Sequence, residues 1–94
     1  MNMNKSFYEL INAEDEYMRS INRYEDAINI YVEEKRRSTE REMYKISDSE
    51  YLKDMARYDR MINEAETRKN ECEDNLRKIR LQIHDYIKNI YGIS

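Results

Sequence analysis

Ninety-four residues suffice for one domain, and a chain that is 39% charged with mean hydropathy −1.13 can bury little of itself on all sides. The net charge of −3 comes from 17 basic and 20 acidic side chains interleaved along the chain. That pattern leaves no basic stripe for nucleic acid and no cationic face for a membrane. No apolar run approaches the ~20 residues of a bilayer span, and the N-terminus lacks the apolar segment of a secretory signal, so a soluble, cytoplasmic protein is expected.

One glycine and no proline leave almost nothing to build β-turns or interrupt helices, so the expected fold class is all-α. The first helix is expected from about residue 6 to 45. Ser6-Phe7-Tyr8-Glu9 opens it as a capping box, the Ser6 hydroxyl accepting from the Glu9 amide. Its apolar seam steps through Phe7, Leu10, Glu14, Tyr17, Ile21, Tyr24, Ile28 and Tyr31, with Glu14 as the one charged exception. Beyond Tyr31 that register runs into Lys35, Ser38 and Glu42, inside Glu33 to Glu42, where eight of ten residues are charged. A one-residue skip offers another register, through Val32, Thr39, Met43 and Ile46, and would locally change the winding of the helices.

A turn is expected at about 46–48. Ser47-Asp48-Ser49-Glu50 is a second capping box, and Ile46 with Tyr51 makes a hydrophobic staple across it. A break that short makes the flanking helices antiparallel neighbours, so the expected architecture is a two-helix coiled-coil hairpin occupying one domain over residues 1–94. The second helix, about 48–91, carries the cleaner seam: Tyr51, Met55, Tyr58, Ile62, Ala65, Lys69, Cys72, Leu76, Ile79, Ile83, Tyr86 and Ile90. Only Lys69 interrupts it, a residue that keeps its stem packed and its ammonium at the rim, within reach of Tyr24. Gly92 suits a left-handed helix cap. Folding back sets Tyr17, Tyr24 and Tyr31 among Ile62, Ala65, Lys69, Cys72 and Leu76, large against small, if partners sum to roughly 93 to 96. Asp15/Arg19, Glu33/Arg37, Glu64/Arg68 and Glu73/Arg77 have the i,i+4 spacing of helix-surface ion pairs.

Chemistry-bearing motifs are sparse. His84 is the one histidine and Cys72 the one cysteine, twelve residues apart in no zinc-binding pattern, and a single glycine builds no phosphate loop. His84 reads as a surface or seam-flanking residue and Cys72 as a small seam thiol. Neither an enzyme nor a cofactor, metal or small-molecule ligand is expected. Asn, Ile, Lys and Tyr, all with AT-rich codons, make up 36 of the residues and suit a bacterial, plasmid or phage source.

The surplus lies off the seam. Tyr8, Ile11 and Met18 stand beside Phe7 and Leu10, while Ile87, Tyr91 and Ile93 stand beside Ile83, Tyr86 and Ile90. They widen a stripe into a face larger than a hairpin needs. These six are the expected partner-binding residues, and the expected partner is a protein: either a second copy completing a four-helix bundle as a homodimer, or a different helical chain. The leading functional expectation is a small adaptor or chaperone. In size and outline the chain resembles the small hairpins that accompany bacterial secretion systems as chaperones or co-secreted partners. That resemblance is one of shape, since Ile46-Ser47-Asp48-Ser49 stands where a WxG turn would be, and the YxxxD spacing from Tyr44 to Asp48 falls at the turn. One alternative is a regulator that inhibits a host protein through the basic cluster of Arg36, Arg37 and Arg41. The other is a structural subunit.

Overall fold

A computed structural model describes residues 6–45 and 48–92, with the backbone alone over 41–45. Two helices account for nearly all of them, α1 (Phe7–Lys45) and α2 (Asp48–Tyr91). Ile46, Ser47 and Ile93, and with them the second capping box and the staple, lie outside the described residues, as do the side chains of Met43 and Tyr44. At the start of α1 the Glu9 amide donates to Ser6 Oγ at 3.2 Å and the Leu10 amide to the Ser6 carbonyl at 3.0 Å. The first satisfies one of the amide groups a helix start leaves open, and the second is the first i→i−4 bond of the helix. Gly92 follows α2 with φ at +65°, a conformation that only glycine enters without strain.

The helices pack against each other as a hairpin, within two compact units. One joins α1 up to Asn22 with α2 from Asn70 onward; the other is Arg23–Lys69. In the first unit the Phe7 and Tyr86 rings lie 5.2 Å apart, tilted by 40°, and Arg80 Nε donates to Glu14 Oε2 at 3.1 Å. In the second, Lys35 Nζ reaches Asp59 Oδ1 at 2.6 Å and the Thr39 hydroxyl lies 3.5 Å from the Tyr51 hydroxyl. Advancing along α1 means retreating along α2 in both units, in the antiparallel register expected from the sequence.

The seams are the least exposed positions. Leu10, Ile21, Leu76 and Ile79 are buried in the first unit and Tyr58, Ala65 and Ser38 in the second. Glu14, the exception on the α1 seam, is half-buried and held by Arg80, so its carboxylate keeps a charged partner at the helix interface. Lys69 is half-buried, but no hydrogen bond joins it to Tyr24 among the described residues, contrary to expectation.

The structure decides the register that the charged stretch left open and limits the α2 seam. The register of α1 does not skip after Tyr31: Val32 is 50% exposed whereas Ser38 is 5% exposed, and Lys35 stays half-buried against Asp59. A salt bridge and a small hydroxyl residue hold the original register at positions where apolar residues are missing. At the other end the α2 seam opens, for Tyr86 is 38% and Ile90 62% exposed. Of the expected surface pairs, Asp15–Arg19 and Glu33–Arg37 form, at 2.9 and 3.4 Å. Arg77 turns back to Asp74 rather than to Glu73, and Glu64 and Arg68 form no ion pair among the described residues. Spacings of three and four residues are both neighbours on a helix surface, so sequence spacing alone does not choose between them.

Candidate interaction surface

Writing the seam as heptad positions a and d places Ile11 and Met18 of α1, and Glu73, Arg80 and Ile87 of α2, at position e, one residue past a d. In an antiparallel helix pair the e positions of both helices border the same side of the interface. That side carries an open groove of ≈ 310 Å³ in the first unit, lined by Met18, Ile21, Asn22, Leu76, Arg77 and Arg80, with Glu73 at its edge. Ile21 and Leu76 form its apolar floor and Met18 one wall. Arg80 bridges the helices beside it, donating to Glu14 and placing Nη2 3.7 Å from the Met18 sulfur.

Tyr8 lies one turn before Ile11 and Tyr91 one turn after Ile87, so both rings extend the same flank. Tyr8 is 81% and Tyr91 73% exposed, and Ile11, Met18 and Ile87 are each exposed by roughly two-fifths. Five of the six residues expected to bind a partner thus share one side of the first unit. Ile93 lies outside the described residues. Sequence inspection alone missed the opening of the seam at Ile90 and the polar component of the surface, Arg77 and Arg80. Heptad position e was the signal that could have found Arg80. Leu81 is exposed too, at 64%, but its heptad position f points away from the flank, and Ile30, Val32 and Leu52 belong to the second unit.

The basic cluster has another character. Arg36 bonds both carboxylate oxygens of Glu33, through Nε at 3.1 Å and through Nη2, and also reaches Glu40. Arg37 adds a contact to Glu33 at 3.4 Å. The hydrogen bond from Arg36 holds the Glu33 carboxyl below its ordinary pKa and, reciprocally, raises that of Arg36. These arginines are occupied by neighbours on their own helix, and Arg41's side chain lies outside the described residues.

The chemistry-bearing side chains are dispersed among the described residues. No group of three His, Cys, Asp or Glu side chains could hold a metal ion, His84 is exposed, and Cys72 is a half-buried free thiol. Among the described residues no helix is long and apolar enough to cross a membrane. No family model matches the chain, nor does any curated protein or solved structure match it significantly.

Proposed function

We propose that the chain is a non-enzymatic protein–protein interaction module, a helical-hairpin adaptor or chaperone that receives helices on the flank bearing Met18, Arg80 and Ile87. The carrying observation is the one-sidedness of the apolar surface: the exposed Tyr8, Ile11, Met18, Ile87 and Tyr91, drawn from two helices, occupy heptad positions on one flank of the first unit, and Met18 among them lines its groove. A soluble protein rarely exposes contiguous apolar patches without a binding role. Two amphipathic helices laid on such a flank would bury their own stripes and complete a four-helix bundle. The core points the same way, since no side chain among the described residues falls below 2% exposure. Two helices alone give thin independent stability.

Affinity capture from the native cell, followed by mass spectrometry, tests this reading with three baits. The parent chain should retain a specific protein set, itself included. Ile11→Asp with Ile87→Asp should lose that set, and Arg36→Glu with Arg37→Glu should keep it. Equal capture by the parent and the Ile11/Ile87 variant would defeat the proposal.

A further inference from the structure

Resting on the reading of the chain as an interaction module, we infer that the occupant of this flank is a second copy of the same chain. The copy packs face to face with its α1 parallel to the first copy's α1, so that α1 of each lies over α2 of the other.

Two contacts within the first unit fix the heights of residues along the pair. The Glu14–Arg80 bond at 3.1 Å sets these two at one level, so their exposed neighbours Asp15 on α1 and Arg77 on α2 lie near it, Arg77 within one turn of Arg80. The Phe7–Tyr86 contact at 5.2 Å sets the second level and brings their neighbours Tyr8 and Ile87 within about 3 Å of each other in height, one residue to either side of it. Turning a copy over about an axis parallel to the helices preserves every height and exchanges the sides of α1 and α2. Asp15 of one chain then meets the Arg77/Arg80 pair of the other, and Tyr8 of one meets Ile87 of the other, each match occurring twice. A face that carries both members of each match, acid on one helix and base on the other, is self-complementary, which is what a twofold interface requires.

The charges are available for it. Among the described residues Asp15 bonds only Arg19 on its own helix, and its side chain is 56% exposed; Arg77 bonds Asp74 and is 70% exposed. A copy turned end for end instead sets α1 over α1 and loses both matches. A foreign helix would need its own acid and aromatic at matching heights, whereas this chain already presents them.

Light scattering on the purified chain, from micromolar to millimolar concentration, should show a dimer. Ile11→Asp should weaken it about a hundredfold, and Asp15→Arg and Arg77→Asp about tenfold each. The chain carrying both charge reversals should recover most of the loss. In a Cys72→Ser background, mixing a Tyr8→Cys chain with an Ile87→Cys chain should give the mixed disulfide in preference to either self-linked product. If circular dichroism shows that Ile11→Asp costs helicity, the charge reversals, at exposed positions, carry the test. A monomer at every concentration, a dimer indifferent to the reversals, or no preference for the mixed disulfide would overturn the inference. A monomer that still captures another protein through Ile11 and Ile87 would sink the second copy alone, and one that captures none would sink the interaction-module reading with it.

Discussion

The two packing units are built on the same heptad, yet they spend their apolar residues differently. Among the described residues the first unit holds four of the six buried hydrophobic side chains, all aliphatic, and also eight of the eleven exposed large hydrophobics. The second buries Tyr58, Ala65 and Ser38 and bridges its helices with polar contacts, Lys35 to Asp59 and Thr39 to Tyr51 and Met55. Apolar side chains in the first unit exceed what one neighbouring helix can cover, whereas the second has barely enough to close its own seam. Surplus on one stretch and sufficiency on the other is how a chain can set aside a binding surface without exposing apolar groups along its whole length.

The contrast is most directly broken in the first unit's core. Leu10→Ala removes a side chain that is 3% exposed and should cost about 2–4 kcal/mol in chemical denaturation. A loss under about 0.5 kcal/mol, the range of an ordinary surface change, would mean that this unit is not the packed one. The second unit offers a change of the opposite sign. Ser38 is buried with no hydrogen-bond partner among the described residues, so Ser38→Ala should be neutral or stabilising by up to about 1 kcal/mol.

Smaller effects separate the cross-helix ion pairs. Glu14→Gln and Lys35→Met each remove a partly exposed pair and should cost about 0.5–1 kcal/mol at low ionic strength, fading in high salt. A salt-independent loss would place packing rather than charge behind them. Acid titration gives the smallest effect. Because Arg36 lowers the pKa of Glu33, pairing favours the folded chain above the ordinary glutamate pKa and that contribution disappears as pH falls through the lowered value. Glu33→Gln should therefore leave neutral-pH stability almost unchanged and slightly flatten the acid limb of a pH–stability profile; an unaltered limb would show that this exposed pair contributes nothing.

Much of the hairpin was legible because its signals are local and periodic. Ser6 and Glu9 mark a helix start, Gly92 marks an end, and seam residues every three or four positions mark the covered side of each helix. The difficult stretch was Glu33 to Glu42, where charge hides the seam. There the pattern offered Val32 and Thr39 as readily as Lys35 and Ser38, and the outcome turned on Asp59, a residue distant in sequence that lies within reach of Lys35. The proposed interaction surface was half legible: its exposed apolar members stood out as surplus, but Arg80 looked like one more solvated cation.

Sequence alone determined two long helices, their antiparallel pairing and the identity of the surplus, since capping and periodicity are written in residues a few positions apart. Tertiary structure decided which flank the surplus shares, how far each seam stays closed, and which charges bridge the helices. Those depend on heights and distances between residues as far apart as Glu14 and Arg80, which no local pattern encodes.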